Sequence, residues 1–181
     1  MDIFAHGLWT GLIFNRQIKK KKIFWPIFFG VAPDIFSFGI YLTVYFFMSG
    51  SLPFNNSTDH LNTLIPRYTD ILYNFTHSFV IFAFVFLVIW LWIKKPFWPI
   101  LAWGIHIIFD IPLHNIEFFP TPFLFPLSDF KITFVSWSNP YIMFINYSLL
   151  AILYFIIFVN RNKIKKLAAS LRESYKIKKE K

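Results

Sequence analysis

The sequence predicts an all-α integral membrane protein: a small bundle of about four transmembrane helices, a short N-terminal helix, and one broken helix. Three observations carry that reading. Hydrophobic residues make up 56% of the chain and aromatics 23%, with 26 Phe, against 15% charged. A soluble domain of 181 residues has too small an interior to hide so many large apolar side chains. Apolar runs long enough to cross a hydrocarbon core recur along the chain. Finally, 16 of the 18 Lys and Arg fall in three places: Arg16 with the lysines at 19–22, the pair Lys94 and Lys95, and the tail 161–181. That is how the positive-inside bias distributes charge. The net charge of +9 therefore points to anionic lipid rather than nucleic acid as partner.

Taken in order, residues 3–14 form an apolar stretch of 12, too short to span alone. It carries His6, Gly7 and Gly11, which permit close helix approach. The lysines at 19–22 follow the first apolar stretch rather than precede it, so the beginning does not read as a signal peptide. Residues 23–48 are long enough to span with tilt, but Pro26 and the Ala32-Pro33-Asp34 step interrupt them, predicting the broken helix. Residues 49–73 read as a polar loop. The next span, 75–93, opens with Thr76-His77-Ser78, and Lys94-Lys95 turns the chain on the cytoplasmic side. Residues 96–114 form a third span, 115–140 a Pro- and Phe-rich interfacial segment, and 141–159 a last span with Asn146 and Ser148 inside it. The organisation is thus a transmembrane domain over 1–160 and a basic cytoplasmic tail over 161–181, with no internal repeat.

The chemistry concentrates in few residues. His106, Asp110 and His114 are spaced four apart, and a step of four advances a helix by about 400°, so they share one stripe. By the expected topology, His77 begins a span on the outer side while Asp110 and His114 end one there. His6 lies about 13 residues before the first basic loop, roughly 20 Å along a helix, and reaches a similar level. Asp34 falls near mid-membrane. Five residues from four segments can therefore meet in one layer.

Buried carboxylates at membrane depth need a cation, a proton or a paired base, and Lys and Arg are concentrated elsewhere. With no Cys in the chain, any metal is held by imidazole and carboxylate. The candidate ligands are His6, Asp34, His77, His106 and Asp110, with His114 possible beyond Pro112. A divalent ion, zinc first, fits that donor set. His60 beside Asp59, together with Glu117 and Asp129, reads as solvated surface.

His6-Gly7, Pro33-Asp34-Ile35, Thr76-His77-Ser78 and His106-x-x-x-Asp110 recur in this order, at similar spacing, in a known family. Over most of residues 1–160 the chain resembles the membrane-bound metal-dependent hydrolases of bacterial and archaeal inner membranes, described by a LexA-regulated member. That resemblance implies His6, Asp34, His77, His106 and Asp110 as metal-site residues. Two places depart from the family pattern. Phe36-Ser37 stands where a second acid is usual, and Tyr73-Asn74-Phe75 where His-Arg-Gly is usual. Those departures remove a ligand and an anion clamp, which argues against a two-metal site; His114 is the residue placed to compensate.

The expectation is thus an integral-membrane hydrolase of the prokaryotic cytoplasmic membrane. Its substrate would be a lipid or lipid-linked ester or phosphoester, and Asp34 or Asp110 would be the general base or orienting carboxylate. A small transporter or ion-binding protein using the same His and Asp cluster is the alternative, and a structural member without chemistry a third.

Overall fold

The structure is a computed structural model that describes residues 1–15, 22–50, 65–116 and 119–179, the last stretch by backbone alone at 162–169 and 171–179. Arg16, Lys19, Lys20, Lys21, Asp59, His60 and Glu117, and all side chains of the basic tail except Arg161 and Ser170, lie outside the described residues.

Among the described residues every regular element is helical. The order is α1 (Ile3–Ile13), α2 (Phe24–Asp34), a π turn (Ile35–Gly39), α3 (Ile40–Ser49), α4 (Arg67–Thr76), α5 (Phe79–Ile93), a 3-10 turn (Trp98–Ile100) leading into α6 (Leu101–Leu113), and α7 (Pro140–Lys179). The chain divides into two compact units, Met1–Met143 and Phe144–Lys181. The expected site residues all lie in the first.

Among the described residues two stretches are long and apolar enough to cross a membrane, Phe24–Ser49 and Pro140–Arg161. A third exists if the pair α4 and α5, bent by 59° between them, counts as one span. The expected span over 96–114 is represented by a shorter apolar helical stretch, Trp98–Leu113. Burial is inverted relative to a soluble fold. The fully buried side chains include His6, His77, His106 and Asp110, while Phe4, Phe47, Phe84 and Trp92 are exposed by 75%, 82%, 65% and 81%. Helix α5 is apolar at every position and buries none of them, a surface that suits apolar surroundings.

Two expectations change. The segment around Pro33 is not a break. The chain stays helical from Phe24 to Ser49, and the disturbance is absorbed by the π turn after Asp34. Proline removes one backbone donor, and the Ser37 hydroxyl donates to the Pro33 carbonyl at 2.8 Å. The real discontinuity is at His77, between α4 and α5. The end of the expected polar loop is also helical, because Pro66 leads extended into Arg67 and Asp70 sits in the first turn, where a negative charge suits the helix dipole.

Helix α1 starts at Asp2, whose carboxylate accepts from the Ala5 amide at 3.0 Å. It lies against α2 where Gly30 meets Thr10. A Cβ on Gly30 would fall 2.1 Å from Thr10 Oγ1, so only glycine allows this approach. Gly104 of α6 likewise makes room for the Phe82 ring of α5.

Candidate metal centre

His77 is held at the joint between two helices. Its amide donates to the Tyr73 carbonyl at 2.9 Å and closes α4. The next residue, Ser78, caps α5 by accepting from the amides of Val80 and Ile81 at 3.1 and 3.3 Å. The Ser78 hydroxyl also donates to the Phe125 carbonyl. Trp103 of α6 donates from Nε1 to the Thr76 carbonyl at 2.6 Å, tying the joint to the helix that carries His106 and Asp110. Thr-His-Ser therefore works as a structural unit: the serine starts a helix, and the histidine before it is left in the gap.

Four side chains from three segments converge there. Asp34 ends α2, His77 sits in the joint, and His106 and Asp110 lie one turn apart on α6. One ligand atom from each lies within 4.8 Å of all the others. His77 Nε2 is 3.0 Å from His106 Nε2. From His77 Nε2 the distances are 3.5 Å to Asp34 Oδ1 and 3.4 Å to Asp110 Oδ2. From His106 Nε2 they are 3.7 and 3.0 Å to the same two oxygens. A tetrahedral ion with metal–nitrogen bonds of about 2.0–2.1 Å holds its ligand atoms about 3.4 Å apart. These five separations, 3.0–3.7 Å, bracket that value.

Tautomers reinforce the geometry. His106 Nδ1 donates to the Gly30 carbonyl at 2.8 Å. His77 Nδ1 faces the Tyr73 carbonyl at 3.2 Å and Thr76 Oγ1 at 2.9 Å. A carbonyl only accepts, so in both neutral rings Nδ1 carries the proton and Nε2 turns a lone pair inward. Two lone pairs and two carboxylates then face one another. Among the described residues Asp34 Oδ2 and Asp110 Oδ2 are buried without a hydrogen-bond partner; Asp110 Oδ2 is 3.0 and 3.4 Å from the two Nε2 atoms, but their lone pairs do not donate to it. A cation fits this donor set: it would take up the two lone pairs with Asp34 Oδ1 and Asp110 Oδ2, and so relieve the orphaned oxygen of Asp110. The outward Nδ1 bonds are the kind of support that orients metal-binding histidines.

His6 and His114 stand behind this quartet rather than in it. His6 Nε2 bonds Asp110 Oδ1 at 2.9 Å, and the His6 ring stacks on His106 with centroids 3.6 Å apart. His114 follows the last turn of α6 in an extended conformation, so Pro112 does not carry it away from the site. Its Nδ1 donates to the Phe119 carbonyl at 2.8 Å, and its Nε2 lies 3.5 Å from Asp110 Oδ1. Sequence reasoning placed no cation at this depth, yet the α-amino group of Met1 donates to Asp110 Oδ1 and lies 3.1 Å from His114 Nε2. A backbone terminus has no side-chain signature, so a search for Lys and Arg misses it. Of the carboxylates, Asp34 keeps 13% exposure and Asp110 none.

The two departures from the family pattern also find places. Ser37 is fully buried and held by the π turn, while Phe36 is 46% exposed. Tyr73 stacks on His77 at 3.9 Å and donates from its hydroxyl to the Phe119 carbonyl at 2.9 Å. Tyr73, Trp103 and Phe119 were not among the expected site residues, since aromatics in so aromatic a chain give no contrast.

Two pockets adjoin the centre. One of about 140 Å³ is lined by Phe28, Phe29, Phe36 and Trp103, together with Pro33 and Thr76, the chain neighbours of Asp34 and His77. The other, about 250 Å³, is lined by Asp70, Tyr73, Asn74, Phe119 and Lys131, among others. Compared with known proteins, the chain matches no family model, no curated protein and no solved structure.

Proposed function

We propose that the chain is an integral-membrane, metal-dependent hydrolase acting on a lipid or lipid-linked ester or phosphoester. The observation that carries this reading is the quartet of Asp34, His77, His106 and Asp110, with two buried carboxylate oxygens that lack partners among the described residues. In this reading His77, His106 and Asp110 hold a divalent ion, with zinc favoured by two imidazoles and hard oxygen donors. Such an ion supplies Lewis acidity that activates water near neutral pH. Asp34, the least buried member of the quartet, shares the ion and acts as general base toward a group entering from its side. His6 and His114 keep Asp110 oriented. The ordered set of four motifs supports membership of the membrane-bound hydrolase family.

The aromatic exterior and the long apolar helices support a place in the membrane. In this reading four segments span, Lys94 and Lys95 face the cytoplasm with the basic tail, and the centre occupies the outer half of a prokaryotic cytoplasmic membrane. The apolar pocket beside Pro33 and Thr76 suits an acyl chain.

Purified protein in detergent is the test. Turnover of a lipid phosphoester that requires the metal and is lost in His77→Ala and Asp110→Ala supports the hydrolase. Metal flux into liposomes without turnover would instead favour transport, the second reading. That reading draws on the π turn directly after Asp34, since such turns gather at functional sites in helices. A reporter fused after Lys181 that reads as extracytoplasmic would overturn the topology.

A further inference from the structure

The larger pocket carries two opposite charges that nothing in the metal quartet uses. Asp70 and Asn74 come from the exposed and half-buried side of α4, and Lys131 from the segment that follows α6. Among the described residues, neither Asp70 nor Lys131 is in an ion pair, although both line the same cavity of about 250 Å³. A bare anion on Lys131 would meet the Asp70 carboxylate, and a bare cation on Asp70 would meet the Lys131 ammonium. A ligand bearing both charges satisfies each wall at once, with the Asn74 amide able to donate or accept between them.

The same cavity adjoins the candidate centre through Tyr73. That side chain lines the pocket and stacks on His77, and its hydroxyl bonds the Phe119 carbonyl, which also accepts from His114. Phe119, a second wall residue, has φ of 47°, a left-handed conformation that bulky residues rarely adopt. Strain of that kind persists where surrounding contacts over-determine it, and it gathers at ligand-contacting sites.

We propose that this pocket is the head-group subsite of the candidate centre and takes a zwitterionic amino-phosphoester, with Lys131 on the phosphoryl group and Asp70 on the ammonium. The proposal rests on the hydrolase reading for its link to catalysis, but the binding step does not depend on the metal. O-phosphoethanolamine is the soluble probe, and vesicles with or without phosphatidylethanolamine test whether the group arrives on a lipid.

The full chain in detergent is titrated with O-phosphoethanolamine, inorganic phosphate and ethanolamine by calorimetry. O-phosphoethanolamine is expected to bind at least tenfold tighter than either fragment. Lys131→Met and Asp70→Asn should each weaken it about tenfold with metal content unchanged, and His77→Ala should still bind it. Equal affinity for inorganic phosphate that Asp70→Asn leaves intact would overturn the zwitterion assignment. No binding by protein whose melting profile matches the folded wild type would overturn the pocket itself. Binding by protein that holds no metal would sustain this subsite while the hydrolase reading fails. Competition by phosphatidylethanolamine vesicles assigns the head group to a lipid, and its absence to a soluble amino-phosphoester; either result sustains the subsite.

Discussion

His77 Nε2 and His106 Nε2 face each other across 3.0 Å, and each ring has its other nitrogen turned toward a backbone carbonyl. Two imidazoles locked in that tautomer repel unless a cation or a proton lies between them. Folding has therefore built a site whose own groups are under-satisfied, and binding should return stability. Adding a divalent metal at about 100 times its Kd is expected to stabilise the folded state by about 2.7 kcal/mol. A chelator should lower the Tm correspondingly, and a thermal unfolding scan with and without chelator reads both.

The two carboxylates should behave differently. Asp110 is fully buried and bonded to His6 and to the Met1 amino group, whereas Asp34 retains 13% exposure. Asp34→Asn is expected to keep much of the metal while kcat falls by about 10²–10⁴, the range for loss of a general base. Asp110→Asn should instead lose metal. Metal analysis and turnover on the same preparations separate the two roles; equal metal loss in both variants would contradict the assignment of Asp34.

Gly30 links packing to the site, because its Cα approaches Thr10 while its carbonyl fixes His106. Gly30→Ala is expected to destabilise by about 1–3 kcal/mol through overpacking and to weaken metal binding as α1 and α2 separate. Adding Thr10→Ala should recover part of the loss, since it removes the contacts at 2.1 and 3.1 Å but leaves the Thr10 Cβ at 2.9 Å. Full loss of stability in the double variant equal to that of the single one would show that the close approach is not the cause.

Ser78→Ala tests the joint. It removes a helix cap, about 1 kcal/mol in itself, and the hydroxyl bond to Phe125. Stability and metal affinity should fall together, because the same residue starts α5 and leaves His77 in the gap. A variant with lower Tm but unchanged metal affinity would separate the joint from the site.

Much of this arrangement was legible in the sequence because polar residues are so scarce within its apolar runs. His77, His106 and Asp110 stood out for that reason, and the expected ends of their spans put His77 and Asp110 at one level. Their side chains do meet, with Asp34 completing the quartet. Finer features escaped because they depend on tertiary contacts. Pro33 suggested a broken helix, but the Ser37 hydroxyl and a π turn carry the chain through, and the break falls at Thr-His-Ser instead. Helix α4 was hidden in a polar stretch, where Tyr73 and Thr69 face inward while Ile71 and Phe75 stay exposed. The Met1 amino group and the roles of Tyr73 and Trp103 emerge only in the fold, since neither a terminus nor one aromatic among many carries a distinguishing signal.

Metal content tests the central claim most directly. Protein purified without chelator and measured by elemental analysis is expected to hold about one divalent ion per chain, with His77→Ala and His106→Ala each nearly empty though still folded. Wild-type protein that stays metal-free after exposure to zinc, manganese and other divalent ions would contradict the account. It would leave the four converging side chains as a proton-sharing cluster rather than a metal centre.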